Sequence, residues 1–245
     1  MWYAKNTGDY NLGDYQADAN GEEIFMLLGN MNYSFTAICA VLGNIYRECG
    51  YNPWQWETGF RTTTDYHSFS GGYGLMQWTP CWEYIDSSVA QSYSAYSPNF
   101  RDRPGTPQDG EAQILFMNYQ IINGEWRTNP VGGGQYNAYL RELSAIGIDY
   151  TRFYNMTPTQ FITGSGPNPN ITYTRDDWLG AFATNYLRPT SWILARDFYK
   201  MSDAYNYWYE YFSGQPPTPD PPIPPEYKPH KMPLWMMINY NKERR

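Results

Sequence analysis

At 245 residues the chain can bury one sizeable core, or one domain with a tail. Its formal charge of −7, without a basic run, argues against nucleic acid, which binds through phosphate neutralisation, and against simple electrostatic adhesion to an anionic wall. Three cysteines (Cys39, Cys49, Cys81) and two histidines (His67, His230) make neither a disulfide framework nor a zinc-ligand spacing, so free, partly buried thiols and no metal or other cofactor are expected.

Residues 1 to 20 are polar and turn-rich, and Met1-Trp2-Tyr3-Ala4-Lys5-Asn6 lacks the charged start and apolar core of a signal peptide. A first helix is expected from Asn20 or Gly21, burying Ile24, Phe25, Leu27 and Leu28. From Ser34 to Glu48 the residues Phe35, Ile38, Val41, Leu42, Ile45 and Tyr46 recur at spacings of three and four, the period of an amphipathic helix with one buried stripe. Ser34 suits its N-cap and Gly50 its C′ position, and Pro53 prevents the helix from resuming. Glu48 then falls beside Val41 on the border of the apolar stripe. The last helical turn presents unpaired carbonyls, and partial burial removes water, so both effects raise the pKa of a carboxyl placed there. A glutamate kept protonated near neutral pH can act as the general acid in glycoside cleavage. An ordinary surface glutamate paired with Arg47 is the competing reading.

The stretch from Trp54 to Pro80 lacks helical period and is rich in Gly, Thr and aromatics, which predicts a hairpin and loop. It contains Glu57 and Asp65, either of which could face the cleft as a second carboxylate, and a glycine-dense turn ending in Gly74-Leu75-Met76-Gln77-Trp78-Thr79-Pro80. With 25 Tyr, 10 Trp and 11 Phe, the chain carries a heavy aromatic load, and flat rings suit sugar C–H faces. Trp54, Trp56, Tyr73 and Trp78 flank the motifs and are the expected platforms. A Cys49–Cys81 disulfide would staple the Glu48 helix end to the loop after Pro80, and a Cys81–His67 dyad would be needed for a cysteine peptidase.

Helices are expected to resume at Trp82, interrupted at residues 98–110 and 164–169. A flexible Gly132-Gly133-Gly134 run precedes Tyr136-Asn137-Ala138 and a helix. Within Trp192 to Phe212, the residues Trp192, Phe198, Tyr199, Tyr205, Trp208 and Phe212 fit a helix that buries aromatics. No run of about 18 apolar residues marks a membrane span. After Ser213 nine prolines lie between Pro216 and Pro233, predicting an extended polyproline-like spacer. It leads to the apolar patch Leu234-Trp235-Met236-Met237-Ile238 and a basic finish, read either as a docking strand for a neighbouring subunit or as a cover for the domain's own groove. The expected division is a domain over 1–213, a proline-rich linker over 214–233 and a docking segment over 234–245.

The Glu48-Cys49-Gly50 step followed by Gly74-Leu75-Met76-Gln77 and Pro80 resembles the lysozyme-like fold of lytic transglycosylases and goose-type lysozymes. With Gly43-Asn44, Asn52-Pro53, Trp56-Glu57, Gly72-Tyr73-Gly74-Leu75 and Gln77-Trp78-Thr79-Pro80, it is most similar to the phage tail lysozyme family. Glu111-Ala112-Gln113 and Phe182-Ala183-Thr184-Asn185-Tyr186-Leu187-Arg188-Pro189 look like that family's downstream helices. Specific motifs are confined to residues 43 to 80. Cys49 stands where the family usually has serine, and Leu187 where glutamate is frequent.

The resemblance implies a mainly α (α+β) lysozyme-like helical domain with a small β-hairpin element and a proline-rich tail. It implies cleavage of the β-1,4 bond between N-acetylmuramic acid and N-acetylglucosamine in peptidoglycan, with Glu48 as acid; Glu57, ahead of Asp65, is the candidate second catalytic carboxylate read from the loop. Gln77 would contact substrate or fix the active-site turn, and Tyr73, Trp78, Trp56 and Met76 would line the substrate path. If neither Glu57 nor Asp65 holds a water, a lytic transglycosylase with a 1,6-anhydro product is implied instead; a non-catalytic wall-binding module is the third reading. Other virion tail proteins are the expected partners, and a phage tail tip the expected place of action.

Overall fold

A computed structural model of the chain describes residues 2–4, 12–57, 66–92, 107–128, 134–187 and 197–214. The expected tail, residues 215–245, as well as Asp65 and Trp192, lie outside these residues. The described elements are helices α1 (Asp14–Asn30), α2 (Phe35–Cys49), the single turns α3 (Trp82–Ile85) and α4 (Ser88–Gln91), α5 (Pro107–Gln120), α6 (Gly134–Ala145), α7 (Pro158–Thr163), α8 (Arg175–Phe182) and α9 (Phe198–Ser213). α5 and α8 each run on into a wider π turn, Ile121–Glu125 and Ala183–Leu187. The architecture is mainly helical with a small β element, as expected.

Helix α2 is the centre of the domain. Ser34 caps it by accepting a hydrogen bond from the Ala37 N–H at 3.3 Å, and Gly50 ends it in the left-handed region at φ 56°. The expected single buried stripe is only part of the picture, because every residue from Ala37 to Ile45 is buried. The opposite face carries Cys39, Ala40, Gly43 and Asn44, whose small or hydrogen-bonded side chains let neighbours approach closely. A Cβ at Gly43 would sit 2.6 Å from the Met201 carbonyl oxygen and 2.7 Å from Leu179 Cδ2, so α9 and α8 press directly on this backbone. Asn44 binds the Ala40 and Leu179 carbonyls through Nδ2, joining α2 to α8.

Three local expectations change. The first helix begins at Asp14 rather than near Asn20, and buried Asn20 makes a side-chain tie instead of an N-terminal turn: its amide donates to the Tyr3 and Tyr51 carbonyls at 2.7 and 2.8 Å. Tyr46, read as part of the buried stripe, is 45 % exposed because it lies one residue beyond Ile45, where α2 emerges from its neighbours. Along α9, Phe198, Tyr205, Trp208 and Phe212 are buried as expected, but Tyr199 is 59 % exposed, a turn of about 100° away from Phe198.

The predicted hairpin reduces, among the described residues, to two isolated antiparallel bridges, Trp56 with Tyr73 and Tyr73 with Trp78. Short as it is, this element puts the turn against the end of α2. Trp78 stacks on Tyr84 of α3 at 4.9 Å and donates its indole N–H to Gln120 at the end of α5, while Gln120 also accepts from the Tyr186 hydroxyl. Cys39, Cys49 and Cys81 are buried free thiols, so no disulfide joins the helix end to the loop after Pro80. No described helix is long and apolar enough to cross a membrane.

Candidate active site

Glu48 occupies the last turn of α2 with 17 % of its side chain exposed. Burial pushes its carboxyl above the ordinary carboxylate range; Arg47 opposes that shift and the charge of Glu57 adds to it. Burial wins because Arg47 is a poor counter-ion. Its Nη1 is 3.9 Å from Glu48 Oε2, beyond hydrogen-bond length, and its Nε is 3.7 Å from Asp197 Oδ2 at the start of α9. The guanidinium is shared between two carboxylates and bonded closely to neither, so its attraction does not repay the lost hydration of Glu48. This geometry weighs against the surface ion pair as the explanation for Glu48.

Glu57 comes from the other side of the site. Its backbone N–H donates to the Gly72 carbonyl at 3.0 Å and its Oε2 accepts the Gly72 N–H at 2.7 Å, which locks the side chain to the glycine turn. Glycine is needed beside it, since a Cβ at Gly71 would come within 2.8 Å of the same oxygen. Glu57 is exposed, and its effect on Glu48 shows that the two carboxyls lie within electrostatic reach of each other. A largely buried carboxyl at the helix end, raised by burial, and an exposed carboxyl fixed to the glycine turn thus lie within electrostatic reach of each other.

Gln77 resolves toward its structural alternative. It adopts φ 50°, and its amide Nε2 donates to the Gly74 carbonyl at 2.8 Å and to the Gln55 carbonyl at 3.3 Å. The side chain closes the Gly74–Gln77 turn onto the segment after α2. Gly72 is packed against it so closely that a Cβ there would lie 2.9 Å from both Gln77 oxygens.

The aromatic expectations need correction. Tyr73 is fully buried, with Trp56 at 4.1 Å between ring centroids and Tyr84 at 6.0 Å. Trp56, Met76 and Trp78 are buried with it, and Trp54 is half-buried against the same core. None of Tyr73, Trp56, Met76 or Trp78 presents an open face to a sugar; together they form the support under the turn. Strand-like backbone here sends these side chains inward, and a stretch without clear period gave no signal of which face that was. Asn137 and Ala138 lie on α6.

Two residues outside the predicted set belong to the site. Gln113 on α5 is fully buried, accepts the Leu75 N–H at 2.7 Å and donates to the Pro53 carbonyl at 2.7 Å. A glutamine among the buried neighbours Ala112 and Ile114 was the available clue. Cys49 supplies a link at the position where serine was expected: its Sγ approaches the Ile45 carbonyl at 3.5 Å and the Leu75 carbonyl at 3.6 Å. Burial holds its pKa well above that of a free thiol, so Cys49 is a weak neutral donor and not a nucleophile. As for the suggested Cys81–His67 dyad, His67 Nε2 pairs with Asp86 at 2.7 Å, Cys81 Sγ donates to the Tyr66 carbonyl, and burial raises the Cys81 thiol pKa, which weighs against a thiolate nucleophile. Among the described residues no group of three or more His, Cys, Asp and Glu is placed to hold a metal ion.

Comparison with known proteins agrees with this geometry. The family described as phage tail lysozyme matches residues 19–148, from α1 through the helix end, the glycine turn and α5 to the end of α6. Morphogenesis protein 1 of Bacillus phage B103 is 29 % identical over 126 residues, a match that covers 51 % of this chain and 29 % of that protein. The chain thus spans less than a third of that relative's length.

Proposed function

The chain belongs to the phage tail lysozyme family, and on that premise we propose that it is a muramidase which cleaves the β-1,4 bond between N-acetylmuramic acid and N-acetylglucosamine. The observation that carries this reading is Glu48, raised by burial at the helix end, within electrostatic reach of Glu57, which is exposed and fixed to the Gly72 N–H. Glu48 donates its proton to the glycosidic oxygen as the bond to the leaving sugar breaks. Glu57 orients and deprotonates the water that attacks the anomeric carbon, leaving a reducing-end muramic acid. Gly72 keeps Glu57 in place, and Gln77 and Cys49 keep the turn against α2.

The one-carboxylate alternative, a lytic transglycosylase, requires the muramyl 6-hydroxyl to attack in place of water. The anchoring of Glu57 beside Glu48 favours hydrolysis. We further propose that the protein acts from a virion on the bacterial wall, supported by its family and by a phage morphogenesis relative. The proline-rich 214–233 segment would then act as a spacer, and residues 234–245 would dock onto a neighbouring tail protein.

Mass spectrometry of muropeptides released from purified peptidoglycan tests the chemistry. Reducing muramic ends from the parent protein, absent with Glu48→Gln, are expected. Anhydro-muramic ends would move the assignment to transglycosylation, and equal, negligible release by both proteins would leave a non-enzymatic wall-binding role.

A further inference from the structure

Gln113 lies on α5, away from the motif-bearing residues 43 to 80, yet it touches both halves of the site. Its Nε2 donates to the carbonyl of Pro53, five residues after Glu48, and its Oε1 accepts the N–H of Leu75, three residues after the Gly72 that holds Glu57. The fit is close on the turn side. Gly74 has φ +79° and a Cβ there would meet Gln113 Oε1 at 2.5 Å, so the backbone folds directly onto the amide. Leu75 is held at its other backbone group as well, since its carbonyl accepts from Cys49 Sγ at the end of α2.

A buried amide satisfying one donor and one acceptor on two separate loops is a spacer of fixed length. Both backbone groups lose this partner if the amide goes, and the direct tie between Pro53 and Leu75 goes with it, leaving the Cys49–Leu75 and Gln77–Gln55 contacts to hold the two segments less closely. We propose that Gln113 is a positioning residue for the acid-base pair, setting the distance between the Glu48 end of α2 and the turn that carries Glu57. This inference rests on the reading of Glu48 and Glu57 as the reacting groups. It assigns Gln113 no contact with substrate.

Gln113→Glu gives a conditional test, because a neutral carboxylic acid reproduces the pattern: its O–H donates to the Pro53 carbonyl and its C=O accepts from Leu75 N–H. The ionised form instead aims an oxygen at the Pro53 carbonyl. The ratio of variant to parent kcat on soluble glycan fragments is therefore expected to stay near one at acidic pH and to fall by about 10- to 100-fold as the introduced carboxyl ionises, with KM little changed. Taking the ratio removes the parent's own pH dependence.

Gln113→Met, which can make neither bond, is expected to lose a similar factor at every pH while circular dichroism shows it folded. If Gln113→Met does not fold, the fall of the Gln113→Glu ratio between acidic and neutral pH still decides the matter. A flat ratio near one across the pH range for folded Gln113→Glu would overturn the proposal.

Titration of the Glu48 carboxyl by NMR supplies a readout independent of turnover. Gln113→Met, or Gln113→Glu in its place if the former is unfolded, is expected to move the Glu48 midpoint, whereas loss of hydrogen-exchange protection at the Leu75 amide with an unmoved midpoint would show a merely structural tie and overturn the proposal. An inactive parent would sink the muramidase reading, yet the titration would still decide whether Gln113 places the carboxyls.

Discussion

Helix α2 meets two kinds of neighbour, and they hold it by different physics. Along its middle, α9 and α8 press on Gly43, Asn44 and the apolar stripe, so that contact rests on close packing and the removal of apolar surface from water. At its end, the Trp56–Trp78 turn rests on its own buried aromatics and is fixed in position by polar ties: Gly72 to Glu57, Gln77 to Gly74 and Gln55, Gln113 to Leu75 and Pro53. Packing secures the existence of the fold, whereas the polar ties set positions to within fractions of an ångström. Changes on the packed side should therefore reach stability first, and changes on the turn side should reach activity first.

The largest effect belongs to Glu48, which lies where the two regions meet. Glu48→Gln is expected to lower turnover by about 10³-fold, the scale of a general acid, with the fold intact. The sign of its stability effect depends on pH. Folding raises the Glu48 pKa, so its favourable contribution is present while the group is protonated and is lost as pH rises above the ordinary carboxylate range through the folded value. Denaturant titrations should show Glu48→Gln gaining stability on the parent as pH increases in that window; a variant that loses stability relative to the parent as pH rises would contradict it.

Glu57→Gln sharpens the turn side. An amide oxygen still accepts the Gly72 N–H, so the turn should survive, while hydrolytic turnover should fall by about 10²-fold and any residual product should shift toward anhydro ends. Because Glu57 also raises the Glu48 pKa, the basic limb of the remaining pH-rate profile should move to lower pH.

The packed side should answer differently. Gly43→Ala forces a methyl onto the Met201 carbonyl and Leu179, at an expected cost of about 1–3 kcal/mol by chemical denaturation. Turnover per folded molecule should be unchanged, and a selective loss of kcat would break the division between the two regions.

Cys49→Ser is the smallest change. The hydroxyl can donate to the Ile45 or Leu75 carbonyl as the thiol does, so stability should shift by less than about 1 kcal/mol and turnover should hold.

What could be read in the sequence follows the same division. The α2 boundaries, with Ser34 before and Gly50 after, were legible because capping and periodicity are local properties. The position of Glu48 at the end of α2 was legible for the same reason. The burial of α2 on both faces from Ala37 to Ile45 was not, since the Ala37, Cys39, Ala40 and Gly43 face becomes interior only when α9 and α8 arrive from distant sequence. The same holds for Trp56, Tyr73, Met76 and Trp78: aromatic type suggested sugar platforms, but Tyr84 and Phe116, which pack against Trp78, come from α3 and α5. Gln113 escaped for a related reason, as both its partners are backbone groups at least 38 residues away.

The NMR titration of the Glu48 carboxyl in the intact protein, with and without Glu57→Gln, tests most directly whether the helix end holds a proton for catalysis. A midpoint clearly above the ordinary carboxylate range, moving down when the Glu57 charge is removed, is the predicted result. A midpoint inside the ordinary range and indifferent to Glu57 would contradict it, leaving Glu48 an ionised bystander and the pair without an acid.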